Sequence, residues 1–96
     1  MKAVLIVHSA AIDVDVSEML KSVGIDAYTR FTEVVGRGHR SEPHLNTEVW
    51  PGVNSATLAV VDDDKAPAVL ERVRAMRQTL GAEGIKAFLW EIQDIT

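Results

Sequence analysis

Ala3-Val4-Leu5-Ile6-Val7 is an uninterrupted apolar run near the start of the chain, and it decides the fold. A run this short and this apolar is typical of a central strand that is covered on both faces. Beyond it, one apolar stripe repeats at helical spacing and predicts an amphipathic helix that Gly24 ends with a left-handed cap. The stripe consists of Ile12, Val16, Met19, Leu20 and Val23.

The rest of the chain predicts four more elements. Residues 27–35 and 55–61 are rich in strand formers, a second amphipathic helix covers about residues 65–80, and a last strand covers 85–92. Strand, helix, strand, strand, helix, strand is the order of a ferredoxin-like α+β fold. We therefore expect a four-stranded antiparallel sheet with both helices on one face.

Composition narrows the class of protein. The 96 residues suit one domain over 1–96, and a chain that is 47% hydrophobic and 25% charged is typical of a globular protein. The absence of cysteine excludes disulfides and thiolate metal sites, and a net charge of −4 argues against nucleic-acid binding. No apolar run is long enough to insert into a membrane, so we expect a cytoplasmic location.

The strands are apolar at positions that would face both sides of the sheet. Leu58, Val60 and Val61 are predicted to lie beside Leu5 and Val7. If helices cover one face, the other face must be covered by a partner, and a second copy of the chain is the simplest one.

Four segments resemble the PII signal-transduction (nitrogen regulatory PII-like) family, in the same order and at matching spacing. They are Val23-Gly24-Ile25, the run from Thr32 to Arg40 (TEVVGRGHR), Val60-Val61-Asp62-Asp63, and Gly84 to Leu89 (GIKAFL). The resemblance covers nearly the whole chain. The loop over about residues 38–53 is shorter than the family's usual one and lacks its modified tyrosine, so this would be a divergent, short-loop member.

The resemblance implies a bacterial-type regulator rather than an enzyme. Such proteins are homotrimers whose sheets face inward, and they bind a small effector in the clefts between subunits, commonly an adenine nucleotide (ATP, ADP or AMP). The long loop would then engage a protein partner such as a transporter or an enzyme. No catalytic residues are expected, because none of the serines lies in a recognised nucleophile motif.

One segment is the best candidate for the ligand site. It consists of Gly36, Arg37, Gly38, His39 and Arg40. Glycine lets backbone amides approach an anion, and arginine can hold a phosphate or carboxylate through two hydrogen bonds. By the resemblance, Lys86 would add a phosphate contact.

Other residues allow alternative interpretations. His39, Glu42 and His44 could bind a metal ion, as a CutA-like trimer of the same fold would use loop histidines and carboxylates. The acidic run Asp62-Asp63-Asp64 is predicted to cap the second helix, and Trp50 to pack the loop onto the body. His8, at the end of the first strand, is predicted to be a hydrogen-bonded surface residue.

Overall fold

The computed structural model describes residues 1–36, 53–80 and 84–96. Trp50 and, apart from Val53, the loop predicted over residues 38–53 lie outside the described residues. The described elements are β1 (Lys2–Ser9), a short 3₁₀ turn (Ala10–Ile12), α1 (Asp13–Ser22), β2 (Thr29–Val34), β3 (Asn54–Val61), α2 (Ala66–Thr79) and β4 (Ile85–Glu91). The predicted order of elements and the α+β class are confirmed.

The four strands form one antiparallel sheet in the order β2-β3-β1-β4. The apolar first strand lies inside the sheet, with Leu5 opposite Leu58 on one side and opposite Phe88 on the other. Strand β1 is hydrogen-bonded to a neighbour along both edges, which is the central position that its composition predicts.

The hydrophobic core lies between the sheet and the two helices. Val4 and Ile6 of β1 are fully buried there. Because side chains alternate along a strand, Leu5 and Val7 face the other way. The helices contribute the predicted stripes, whose buried members include Ile12, Val16, Met19, Leu20, Val69 and Val73.

Gly24 ends α1 and ties it to the start of α2. Its φ is +81°, a left-handed conformation that favours glycine, and the Ile25 amide donates to the Leu20 carbonyl at 2.9 Å. The ammonium of Lys65 donates to the Gly24 carbonyl at 2.9 Å. A Cβ on Gly24 would lie 3.0 Å from that same Nζ.

The acidic run before α2 does not act as predicted. The cap position is Lys65, and no described side chain caps the helix there. The Asp62 carbonyl accepts the Lys65 amide at 3.0 Å, while the Asp63 carboxylate lies 2.9 Å from the amino terminus of Met1. The chain start occupies the end of the sheet beside Asp63, so that carboxylate pairs with an ammonium instead of a helix end.

His8 is a core residue, and the surface position predicted for it is wrong: it is only 1% exposed. Its Nδ1–H donates to the Ser9 carbonyl at 3.0 Å, so in the neutral ring Nε2 accepts from the Thr57 hydroxyl at 2.9 Å. Burial lowers the pKa of His8, although the Ser9 carbonyl and the charge of Asp13 act in the opposite direction.

A Gly24→Ala substitution should lower the free energy of unfolding by about 1–2 kcal/mol, because alanine is strained at positive φ and its Cβ crowds Lys65. Urea denaturation measures the change. Gly36→Ala is the matched control, since no described atom lies within 4 Å of its Cβ position. An equal loss in both variants would contradict the assignment of Gly24 as an obligatory cap.

Stability should fall as the pH is lowered through a window that begins near 6.5, the ordinary pKa of histidine, and ends at the lower pKa of His8 in the folded state. In that window the unfolded state protonates His8, whereas the folded state with its lowered pKa resists protonation, so unfolding takes up a proton. Urea titrations at several pH values should give a shallower pH slope for His8→Gln than for the wild type. Identical slopes would show that burial does not hold His8 neutral.

Candidate functional site

The first candidate residue, Gly36, lies just beyond the end of β2. Val34 is the last β2 residue paired with β3, opposite Asn54, and the register shifts between Phe31 and Val34. Glu33, within this irregularity, has a φ of +55°. A bulge of this kind bends a strand locally, and Gly36, two residues beyond β2, is exposed and lies in an isolated β-bridge.

The second candidate residue, Lys86, lies on β4. It is exposed, it pairs with Val7 of β1, and its ammonium is 5.9 Å from the ring centroid of Phe88. Lys86 and Phe88 are two residues apart on one strand, so they share the sheet face that the helices leave open. A cation on an apolar face can reach a ligand that lies between this face and another surface.

Gly36 and Lys86 lie at opposite edges of the sheet. Strands β2 and β4 are separated by β3 and β1, so three interstrand spacings of about 4.8 Å place them roughly 14 Å apart. That span is too long for both residues of one subunit to hold the same phosphate group. Arg37, Gly38, His39 and Arg40, and the alternative metal ligands Glu42 and His44, lie outside the described residues.

Three aromatic side chains are exposed in the described chain at positions on the open sheet face. Phe31 is 50% exposed, Phe88 47% and Trp90 46%. The register places Phe31 in one row with Ala56, Val7 and Lys86, and places Phe88 in the next row, beside Leu5. Period-two spacing alone places Phe88 and Trp90 on one face of β4, but Phe31 joins them only through the pairing of β2 with β3.

Two other cations at the end of the sheet are already paired. The ammonium of Met1 bonds to Asp63, which raises the pKa of the amine, and Lys2 bonds to Glu91, which raises the pKa of the lysine. Both positive charges are therefore already paired with carboxylates.

Within residues 1–36, 53–80 and 84–96, no group of three His, Cys, Asp or Glu side chains is arranged to hold a metal ion. None of the helices described is long and apolar enough to cross a membrane.

Comparison with solved structures identifies the fold. CPII from Thiomonas intermedia K12, bound to ADP and bicarbonate, superposes with a TM-score of 0.75 at 18% identity, over 95% of this chain and 84% of that one. CPII bound to ADP, AMP and bicarbonate gives 0.74 at 18% identity, over 99% and 92%. A PII-like signalling protein from Thermus thermophilus gives 0.66 at 22% identity, over 93% and 83%. At these identities the likeness shows a shared fold.

Comparison of sequences identifies the family. No curated protein matches the chain. The model of the family described as nitrogen regulatory protein P-II matches residues 1–96. The match runs along the whole chain, and the fold agrees with it, so the chain belongs to the nitrogen regulatory protein P-II family.

Proposed function

We propose that this chain is a cytoplasmic, homotrimeric regulator that binds a small anionic ligand, an adenine nucleotide, in the clefts between its subunits. The observation that carries the proposal is the placement of Gly36 and Lys86 at opposite edges of one sheet. A cleft between two subunits could place both residues against one phosphate group, whereas a site within one subunit could not.

The open sheet face supports self-association. Phe31, Phe88 and Trp90 are about half exposed there, and removing each ring from water would stabilise association by about 2 kcal/mol. Three copies related by a threefold axis contact each other through two different patches, not through one patch meeting itself. Such a ring could bring the β2 edge of one subunit toward the β4 edge of the next.

The chemistry of the candidate residues supports an anionic ligand. Arg37 and Arg40 could grip phosphate oxygens, the glycines leave backbone amides accessible, and Lys86 would add a charge from the neighbouring subunit. The solved CPII structures of the same fold contain ADP, AMP and bicarbonate, which supports an adenine nucleotide here.

Regulation follows from where the ligand would bind. Residues 36–40 include the start of the segment over about residues 38–53, so a bound nucleotide would bias the conformations open to that segment. A protein partner, such as a transporter or an enzyme, that recognises one of those conformations would have its affinity coupled to the nucleotide. No catalytic step is needed for this function.

A Trp90→Glu substitution should convert the trimer to monomers, because it places a charge on the surface that the subunits bury against each other. Light scattering coupled to size-exclusion chromatography measures the mass. Val14→Glu is the control: Val14 is 68% exposed on α1, on the helix side of the sheet, and its variant should keep the wild-type mass. A trimer that survives Trp90→Glu would contradict the assembly through this face.

Arg37→Ala and Lys86→Ala should each weaken ADP binding by about tenfold or more, because each removes a charged phosphate contact. Calorimetric titration with ADP measures the affinity of each variant alone.

Mixing the two variants tests whether the site is shared between subunits. If Arg37 and Lys86 of a site come from different subunits, co-expression should restore wild-type affinity at about one quarter of the sites in randomly mixed trimers. If they come from one subunit, no site regains both residues. Loss of ADP binding in each variant without rescue in the mixture would contradict the shared site.

A further inference from the structure

A second cleft lies on the helix side of the sheet, away from the open face. It has a volume of about 350 Å³ and lies between α1 and β2. Its lining includes Asp13, Val14, Lys21, Ile25, Tyr28 and Arg30. Neither Gly36 nor Lys86 borders it, so it is separate from the proposed nucleotide site.

Arg30 forms one wall of this cleft and is held firmly in place. Its Nε donates to the Thr57 hydroxyl at 3.0 Å, and its Cζ lies 5.2 Å from the ring centroid of Tyr28. Thr57 is in turn fixed by its bond to His8. The Nη2 of Arg30 is buried, and no described residue accepts a hydrogen bond from it. A charged donor is thus positioned with part of its hydrogen-bonding capacity unused.

Asp13, at the start of α1, supplies an acceptor beside this donor. Its Oδ1 lies 3.6 Å from Nδ1 of His8 and forms a long ion pair with Nε of Arg30 at 4.0 Å, and it is buried without a hydrogen bond from any described residue. A buried polar group without a partner costs about 1–3 kcal/mol. Arg30 Nη2 and Asp13 Oδ1 are themselves enclosed, but the two side chains remain 18% and 32% exposed and line the cleft, so a ligand there would contact their outer atoms.

The charges around the cleft select the class of ligand. Two cations, Lys21 and Arg30, face three carboxylates, which are Asp13, Glu18 and Asp26. An anion without a positive group would be repelled by the carboxylates, and a cation without a negative group would be repelled by Arg30. Neither therefore matches the charges that line the cleft. A molecule that carries one charge of each sign matches both.

The uncharged side chains that line the cleft indicate the nature of the ligand's uncharged portion. Val14, Ile25 and the ring of Tyr28 offer an apolar surface. Tyr28 directly precedes β2, and its hydroxyl lies 2.9 Å from the Ser17 hydroxyl of α1, which limits the width of the cleft. These features suit a small apolar group of a few carbon atoms.

We propose that this cleft binds a free α-amino acid with an apolar side chain, with its carboxylate on Arg30, its ammonium on Asp13 and its side chain against Val14 and Ile25. The same protein would then respond to two ligands at separate sites. The α1–β2 cleft is built within one subunit, so the proposal does not depend on trimer formation.

Calorimetric titration with L-leucine tests the proposal directly. Two matched compounds each lack one charge: 4-methylpentanoate has no ammonium, and 3-methylbutylamine has no carboxylate. We expect L-leucine to bind at least about tenfold more tightly than either. Equal affinities for the three compounds, or no binding of L-leucine, would overturn the proposal.

Substitutions locate the site. Arg30→Gln and Asp13→Asn should each weaken L-leucine binding by about tenfold or more, whereas Arg74→Gln, on an exposed part of α2, should leave it unchanged. Val14→Trp should block the cleft without unfolding the protein, because Val14 is 68% exposed. This variant keeps the test valid if Arg30→Gln and Asp13→Asn fold poorly. Unchanged binding in Val14→Trp would place the ligand elsewhere and overturn the proposal.

Discussion

A sheet has two faces, and the helices of this chain cover one of them. Val4 and Ile6 are buried against α1 and α2, while Phe31, Phe88 and Trp90 remain about half exposed on the other side. An apolar surface of this kind is costly in water, and the described chain has no element left to cover it. This uncovered face is the constraint from which the proposed assembly and the proposed nucleotide site both follow.

The strand order links the uncovered face to the proposed ligand site. Because β1 and β3 are central, Gly36 and Lys86 are held at opposite edges. A rigid sheet keeps them apart, and only a neighbouring subunit could bring their counterparts together. In this account the hydrophobic contact between subunits and the ligand site are two consequences of one interface, so ligand affinity and assembly would be coupled.

Features with local causes could be predicted from the sequence. The apolar run at β1, the stripes of the two helices and the left-handed cap at Gly24 each depend on a few adjacent residues. Features set by distant pairings could not. His8 is buried because Thr57 of β3 and the start of α1 enclose it, and Asp63 faces the amino terminus because β1 begins beside it. Arg30 joins a cleft only after β2 pairs with β3 in this register.

For the candidate ligand residues, too, the identity of the residues could be predicted, but their placement in the sheet could not. Gly36 and Lys86 were predicted by resemblance, but their separation across the sheet became apparent only from the strand order.

Copies of this chain are proposed to close the open face against each other. Sedimentation equilibrium of the wild-type protein at micromolar concentration tests this assembly most directly. The account predicts a mass about three times the 10.5 kDa of one chain. A stable single chain at that concentration would contradict it.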